Sequence, residues 1–144
     1  MMKKNDEYYM KQALKEAKKA YELDEVPIGC VIVRNNEIVA KSYNQKTLKN
    51  MATYHAEVLA INKACKKLHS WYLDECVLYT TVEPCLMCTG AIIQSRISRV
   101  VYGTKNESFG YLSQLQNSKI VIKGNVLEHD CSSILSAFFK KKRR

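Results

Sequence analysis

Two short motifs in the sequence combine residue types that bind a metal ion with one that moves protons. They are His55-Ala56-Glu57 and, later in the chain, Pro84-Cys85-Leu86-Met87-Cys88. Two cysteines three residues apart at the start of a helix project to one side, with the separation that two ligands of one tetrahedral metal need. The unpaired backbone N–H groups at a helix start lower the pKa of a thiol there, which favours the thiolate that zinc binds. His55 supplies an imidazole nitrogen as a third ligand, and three protein ligands leave a fourth position for water, as in catalytic zinc sites.

Each motif taken alone also has a simpler interpretation. A histidine at a helix start is often a cap or a core residue, and a carboxylate such as Glu57 is favoured there by the helix dipole. A single CxxC motif is also found in redox-active sites and in halves of structural zinc sites. A fourth protein ligand would close the metal site and exclude water. The candidates for that ligand are His69, His129, Cys65 and Cys76.

The composition predicts an ordinary folded domain around these motifs. The chain has 144 residues, of which 47% are hydrophobic and 26% are charged, with only 2 Pro and 5 Gly. This balance favours one domain with a real core, which we assign to residues 1–144 as a single zinc-dependent domain. No apolar run approaches the roughly 18 residues of a membrane helix, and the chain becomes polar before a signal-peptide core could form. We therefore expect no membrane partner and a cytoplasmic location.

Charge and cysteine content narrow the function further. The formal net charge is +9, and residues 140–144 are all basic. A basic surplus attracts polyanions such as nucleic acids, although a solvated, solubilising surface would have the same composition. In a reducing compartment the six cysteines are not a disulfide framework. Four of them lie in apolar runs and are expected to be buried, inert thiols: Cys30, Cys65, Cys76 and Cys131.

The elements that must position the motifs follow from periodicity and turn residues. Helical spacing predicts helices over 6–23, 56–68 and 84–95, and a final helix that ends in the basic tail. The helix over 84–95 begins with Pro84 at its first helical position and is apolar on all sides. The third helix should therefore be buried in the core or in a subunit interface. Short β-branched runs predict strands over 28–33, 37–43, 76–81, 99–103 and 119–123, the first two joined as a hairpin by Asn35-Asn36. The stretch 104–117 is expected to be irregular or to hold one short helix.

This order of elements predicts the fold class. Helices and strands alternate after the hairpin, which implies parallel crossovers in an α/β protein: a three-layer α/β/α arrangement with a mixed five-stranded sheet. Ligands of such sheets bind beyond the carboxyl ends of the strands, where the segment 81–88 lies.

Together, His-x-Glu and Pro-Cys-x-x-Cys are far more specific than either motif alone, and they form the signature of zinc-dependent nucleobase deaminases. The sequence resembles the bacterial tRNA-specific adenosine deaminases of the cytidine deaminase-like superfamily over nearly its whole length. Besides the zinc motifs, the resemblance is carried by Glu25-Val26-Pro27-Ile28-Gly29, Asn44, Thr80-Thr81-Val82-Glu83, Thr89-Gly90-Ala91, Ser95-Arg96-Ile97-Ser98-Arg99-Val100-Val101-Tyr102-Gly103, Gly124-Asn125-Val126-Leu127, Cys131 and Phe138-Phe139.

The resemblance implies a cytidine deaminase-like fold and the conversion of adenosine to inosine at the wobble position of a tRNA anticodon. It implies one Zn²⁺ per subunit on His55, Cys85 and Cys88, whose bound hydroxide attacks the base while Glu57 shuttles protons. It further implies a homodimer that binds a tRNA anticodon stem-loop. The residues expected to contact the substrate are Asn44, Ala56, Asn106 and Phe139.

Two other functions remain compatible with the motifs, namely a zinc deaminase of a free base or nucleoside of the guanine or cytosine type, and a non-catalytic zinc module that binds nucleic acid. The paired Phe138-Phe139 and the basic tail favour the tRNA branch. The sequence also departs from the family pattern in two ways. The stretch between Gly103 and Gly124 is shorter than usual and lacks an Asn-His-Arg-like segment, and Asn106 stands where the family has Asp.

Overall fold

The first helix begins where the sequence supplies a capping side chain. In the computed structural model, which describes residues 4–115 and 119–143, α1 spans Asp6–Glu22. The Oδ1 atom of Asn5 accepts a hydrogen bond from the backbone N–H of Tyr8 at 2.9 Å, which satisfies one of the unpaired donors of the first turn. Asp6 and Glu7 add negative charge at this positive end of the helix dipole.

A mixed five-stranded sheet forms the centre of the fold, as predicted. Its strands are β1 (Gly29–Arg34), β2 (Glu37–Tyr43), β3 (Cys76–Val82), β4 (Arg99–Thr104) and β5 (Val121–Lys123). The order across the sheet is β2-β1-β3-β4-β5. β1 is antiparallel to both β2 and β3, whereas β3, β4 and β5 are parallel. The parallel part brings the carboxyl ends of β3 and β4 to one edge of the sheet.

The remaining helices are α2 (Lys46–Lys49), α3 (Ala56–Leu68), α4 (Leu86–Gln94) and α5 (Glu128–Lys142). One hydrophobic cluster joins α3 and α4 to one face of the sheet, with Ala60 and Ile92 packed among Ile32, Leu78 and Val100. A second cluster joins α1 and α5 to the other face. The three-layer α/β/α prediction is therefore confirmed.

Gly29 allows α1 to lie directly on the sheet. A Cβ atom at this position would overlap the backbone of Ala13 and Ala17, so no side chain fits between α1 and the start of β1. This close approach holds the connection between them, 23–28, against the end of the sheet that carries the predicted metal motifs.

Several element boundaries differ from the sequence predictions. Pro84 is not the first helical residue, because the chain stays extended through Cys85, which bridges to Gly110 and is the N-cap of α4. α4 is not buried on all sides, since Leu86 is exposed. Cys65 is only partly buried, unlike the three other cysteines predicted to be inert.

The ends of the chain and its irregular stretches agree only in part with the sequence predictions. The basic residues 140–142 belong to α5 and are not a tail, and the predicted loop after β2 contains the short helix α2. The stretch after β4 holds one short 3₁₀ turn at Leu112–Gln114, as predicted. Three parts of the sequence lie outside the described residues: residues 116–118 of the shortened stretch, residues 1–3 of the predicted polar start, and Arg144 of the basic tail. Within the described ranges, each helix is too short or too polar to cross a membrane.

An ion-pair network centred on the partly buried carboxylate of Asp6 ties α1 to the sheet at the end opposite the metal motifs. Arg99 donates to both carboxylate oxygens of Asp6, at 2.9 and 2.8 Å. The hydroxyl of Tyr79 donates to Oδ1 of Asp6 at 2.7 Å, and the Nζ atom of Lys123 donates to Oδ2 at 3.1 Å. The guanidinium of Arg99 is the main reason that the pKa of Asp6 lies well below its usual range.

Replacing Asp6 should therefore lower the stability of the fold in a pH-dependent way. We expect Asp6→Asn to reduce the free energy of unfolding at pH 7 by about 1–3 kcal/mol, because charge-assisted hydrogen bonds to Arg99 and Lys123 are lost. The folded pKa of Asp6 is below its unfolded value, so its contribution is complete above about pH 4–5 and is lost as the pH falls further. Urea unfolding at pH 7 and pH 3 should show a difference between wild type and variant that shrinks at pH 3.

Asp24→Asn is the matched control. Asp24 also pairs with lysines, but its side chain is 56% exposed, so water screens those pairs. A loss of stability at pH 7 that is as large for Asp24→Asn as for Asp6→Asn would contradict the role given to the Asp6 network.

Candidate active site

The three predicted metal ligands are brought together at the starts of two helices. His55 is the N-cap of α3 and Cys85 is the N-cap of α4, and both have extended backbone angles. Cys88 follows one turn into α4 and is fully buried. Both helices therefore direct their first, unpaired N–H groups towards the same region, where they favour negative charge on thiols.

The distances between the donor atoms match those around a tetrahedral zinc ion. The Nδ1 atom of His55 lies 3.6 Å from the Sγ atom of Cys85 and 3.5 Å from that of Cys88. Zn–S bonds of about 2.3 Å and Zn–N bonds of about 2.0–2.1 Å at tetrahedral angles place sulfur and nitrogen about 3.6 Å apart. The donor set therefore fits zinc in both chemistry and spacing, with Nδ1 as the imidazole donor.

No fourth protein ligand joins this cluster in the part of the chain that the structure describes. The three donor atoms lie within 4.8 Å of one another. The other candidates from the sequence, His69, His129, Cys65 and Cys76, are not among them. A three-ligand set leaves one tetrahedral position for water or substrate, which is the arrangement of catalytic zinc sites and not of structural ones.

Hydrogen bonds within the cluster prepare it for a cation. The pKa of Cys85 is lowered to about 3, first by the hydrogen bond from the Cys88 thiol and then by the one from His55. The hydrogen bond that the Cys88 thiol donates to Cys85, together with burial, raises the pKa of Cys88. The hydrogen bond between His55 and Cys85 raises the pKa of His55. The lowered pKa of Cys85 favours its thiolate form, and binding of a zinc ion would displace the remaining protons of the cluster.

Glu57 lies beside the cluster without belonging to it. Its side chain is only 4% exposed, and removal from water raises the pKa of Glu57 to about 7. A carboxyl group with such a pKa both accepts and releases protons near neutral pH, as general acid–base catalysis requires. Glu57 lies two residues after His55, on the first turn of α3, and is not part of the donor set.

A cavity of about 780 Å³ opens above these groups, within the range of roughly 300–1,000 Å³ typical of ligand pockets. It contains every residue that the sequence assigned to the substrate together with the base and two of the metal ligands: Asn44, His55, Ala56, Glu57, Cys85, Asn106 and Phe139. A second cavity of about 730 Å³ surrounds Asp6 and Arg99 at the other end of β4, away from this cluster.

Asn44 is built into the cavity wall by its own amide group. It is buried, its Nδ2 atom donates to the carbonyl oxygen of Val26 at 3.3 Å, and its Oδ1 atom accepts from the backbone N–H of Lys46 at 3.2 Å. The amide thus joins the segment before β1 to the segment after β2. One hydrogen of its NH₂ group remains for a ligand.

Glu25 and Glu83 are buried carboxylates that the sequence interpretation did not single out. Glu25 accepts hydrogen bonds from the backbone N–H groups of Thr47 and Leu48, so it fixes the start of α2 beside the cavity. Glu83 accepts from the N–H groups of Asn106 and Ser113, at 3.3 and 2.8 Å. Both carboxylates lie within the motifs that carried the resemblance, but their partners are distant in sequence and could not be identified from it.

Phe138 and Phe139 have different environments. Phe138 is buried, with its ring centroid 6.2 Å from that of Tyr21, whereas Phe139 is 45% exposed and lines the cavity. Arg143, the C-cap residue of α5, lines the cavity as well. By contrast, Lys141 and Lys142 pair with the carboxylate of Asp24. Among the described basic residues 140–143, Arg143 is therefore the one that faces the cavity.

Comparison with known proteins gives results in agreement with this geometry. The model of the MafB19-like deaminase family matches residues 4–143. The tRNA-specific adenosine deaminase of Bacillus subtilis (strain 168) is 44% identical, over 96% of this chain and 91% of that protein.

Two solved structures extend the comparison. A structure from studies of A-to-I editing by tRNA:A34 deaminases at the wobble position of transfer RNA is 34% identical, with a TM-score of 0.84, and covers 89% of this chain and 99% of that one. A guanine deaminase from Bacillus subtilis is 42% identical, with a TM-score of 0.68, but over only 71% of this chain and 66% of that one.

Proposed function

Because this chain belongs to the MafB19-like deaminases, and within them to the tRNA-specific adenosine deaminases, we propose that it converts the wobble adenosine of a tRNA anticodon to inosine. The observation that carries this proposal is the cluster of His55, Cys85 and Cys88 beside the buried carboxyl group of Glu57, at the floor of one cavity. The tRNA-specific adenosine deaminase of Bacillus subtilis matches 96% of this chain at 44% identity, whereas one guanine deaminase matches only 71% of it at 42% identity and another matches 93% of it at only 21% identity.

His55, Cys85 and Cys88 would hold one zinc ion per chain. Zinc in such a site would supply a Lewis acid that lowers the pKa of water. A nucleophile able to attack an aromatic carbon is then available at neutral pH. The three side chains would hold the ion through two thiolates and one neutral imidazole, and would leave one coordination position open.

Glu57 moves the protons of the reaction. It accepts the proton of the attacking water as the C6–O bond forms and delivers it to N1 of the adenine ring. It then takes the remaining proton of the C6 hydroxyl and transfers it to the 6-amino group, so that the C6–N bond breaks and ammonia leaves, with inosine as the product. The burial of Glu57 keeps bulk water from competing for these protons.

The walls of the cavity would hold the nucleoside and its neighbours. Asn44 and Ala56 lie deep enough to contact the base or its ribose, and Asn106 lies at the end of β4 near the sugar. Phe139 and Arg143, exposed on α5, can hold a flanking nucleotide by stacking and by charge. An anticodon loop suits such a cavity because its bases are already unpaired, so turning one out costs little.

The exposed apolar face of α4 favours a homodimer. Leu86 is 63% exposed and Ile93 38%, and both lie on one side of α4 with Gly90 between them, where an added Cβ atom would meet no atom of the described residues within 4 Å. Trp71, 64% exposed, adds an aromatic ring close to this face. A second copy of the chain would bury these residues, and a tRNA-modifying dimer of this kind would act in the cytoplasm.

The proposed function is tested with purified, zinc-loaded protein on an anticodon stem-loop that carries adenosine at the wobble position, in parallel with free guanine, cytosine and adenosine. Inosine should form on the stem-loop and the free compounds should react far more slowly.

Glu57→Gln should keep its zinc yet lose about 10²–10⁴-fold in activity, because the proton acceptor is removed but no ligand is. Cys85→Ala should lose the zinc itself.

Two matched variants control for general effects of substitution. Glu37→Gln changes an exposed carboxylate on β2, and Cys65→Ala removes a thiol outside the cluster, so both should keep zinc content and turnover. Preferential deamination of a free base would support the alternative of a free-base deaminase. Near-full turnover by Glu57→Gln would contradict the role given to that residue.

Asn106 should influence the choice between RNA and DNA. Its Oδ1 atom accepts the backbone N–H of Phe109 at 3.0 Å, and an aspartate could accept the same bond, so Asn106→Asp keeps the turn. The new carboxylate oxygen would accept a hydrogen bond from a ribose 2′-OH and repel phosphates. We expect Asn106→Asp to raise the ratio of inosine formed on the RNA stem-loop to that on the matching DNA hairpin. Asn50→Asp, outside the cavity, should leave the ratio unchanged, and equal ratios for Asn106→Asp and wild type would exclude a role in sugar discrimination.

The homodimer is tested by sedimentation velocity at micromolar concentration. The wild-type chain should sediment as a dimer, and Leu86→Glu should sediment as a folded monomer because a charge cannot be buried unpaired in an apolar interface. Leu23→Glu, an exposed leucine at the end of α1, should remain dimeric. A wild-type chain that is monomeric at every concentration would contradict this proposal.

A further inference from the structure

Phe109 places an aromatic ring in solvent at the mouth of the active-site cavity. Its side chain is 74% exposed, the highest value among the large apolar side chains in the described ranges. It lines the same cavity as Glu57 and Phe139 but comes from a different element, the turn after β4. A single exposed apolar residue is ordinary on a protein surface, but Phe109 is carried by a turn that hydrogen bonds hold in place.

The turn that carries Phe109 is closed by two hydrogen bonds. The Oδ1 atom of Asn106 accepts the backbone N–H of Phe109 at 3.0 Å, and the carbonyl oxygen of Asn106 accepts the N–H of Gly110 at 3.0 Å. An asparagine side chain that bonds to the backbone in this way reproduces a tight turn. The backbone of Phe109 is thus held in place, although its ring contributes little to the core.

Glu83 anchors this turn to the strand end that supplies the metal ligand Cys85. Its buried carboxylate accepts the backbone N–H groups of Asn106 and Ser113 from either side of the turn. Gly110 packs against that carboxylate so closely that a Cβ atom would overlap it. The backbone N–H of Tyr111 also donates to the carbonyl oxygen of Pro84 at 3.0 Å. The backbone of Phe109 therefore has a defined position relative to the proposed reaction centre.

We propose that Phe109 is a stacking platform for the base of a nucleotide next to the target adenosine. This inference rests on the proposed function. When the target base enters the cavity, the neighbouring nucleotides of a single-stranded loop stay at its mouth, where a phenyl ring can replace the stacking partner they lost. A phenyl ring has no hydrogen-bonding group, so this contact contributes affinity for any neighbouring base and does not read its identity.

A double-mutant cycle that combines variants of Phe109 with altered stem-loops tests the stacking contact directly. Zinc-loaded wild type, Phe109→Ala, Phe109→Leu and Phe109→Tyr are titrated into fluorescent stem-loops that are intact or abasic at the nucleotide 5′ or 3′ of the target. With the intact stem-loop, Phe109→Ala should bind about 5- to 50-fold more weakly, given the usual strength of base–aromatic stacking. Phe109→Leu should lose nearly as much, and Phe109→Tyr should bind like wild type.

The abasic stem-loops distinguish stacking from a structural role of Phe109. On one side of the target, removal of the base should weaken wild-type binding and abolish the difference between wild type and Phe109→Ala. The salt dependence of binding should be equal for all four proteins, because no charge is changed. Zinc content and thermal unfolding are measured for each protein and should not change, since the ring is exposed.

Three results would overturn the stacking contact, and the inosine assay separates this proposal from the proposed function. Equal binding by Phe109→Ala and wild type, wild-type affinity in Phe109→Leu, or an undiminished Phe109→Ala effect on both abasic stem-loops would each overturn the stacking contact. If wild type binds the stem-loop but forms no inosine, the proposed function fails while the cycle still decides the role of Phe109. If inosine forms and Phe109 has no effect, only this inference fails, and wild type that binds none of the stem-loops contradicts both.

Discussion

Donor atoms from two separate helices must converge on one point, and the arrangement of the fold depends on this requirement. His55 begins α3 and Cys85 begins α4, and their donor atoms meet within 4.8 Å. The convergence depends on β3, which leads directly into the Cys85 turn, and on the packing of α3 and α4 on the same face of the sheet. The open edge of the parallel strands then provides the cavity, as is general for α/β sheets.

Three buried glutamates surround this cavity, and their different partners explain their different roles. Removing a carboxylate from water is costly unless hydrogen bonds replace the lost solvation. Glu25 and Glu83 each accept two backbone N–H groups from distant segments, so they shape the walls. Glu57 lies beside the cluster of metal ligands, and burial raises its pKa to about 7. The same residue type is therefore structural at two positions and, in the proposed function, transfers protons at the third.

Stability and chemistry are separated along the sheet. The ion-pair network of Asp6, Arg99 and Lys123 lies at the amino end of β4, while the last residue of that strand, Thr104, borders the active-site cavity. The segments that shape the cavity are irregular and are held by single buried carboxylates. This leaves the wall around Asn106 and Phe109 free to differ from related proteins without disturbing the core.

The sequence alone determined the elements and the chemical centre, because both depend on neighbours in the chain. Apolar periodicity, β-branched runs and helix starts identified five strands in a mixed sheet, and local spacing identified His55, Cys85 and Cys88 as ligands. Tertiary structure decided the rest. Cys85 pairs with Gly110 and so delays the start of α4, Lys142 pairs with Asp24, and Glu83 reaches the backbone of the 106–113 turn. These partners lie 23 or more residues apart in the chain, and nothing in local sequence encodes which distant backbone N–H or charge a buried side chain will meet.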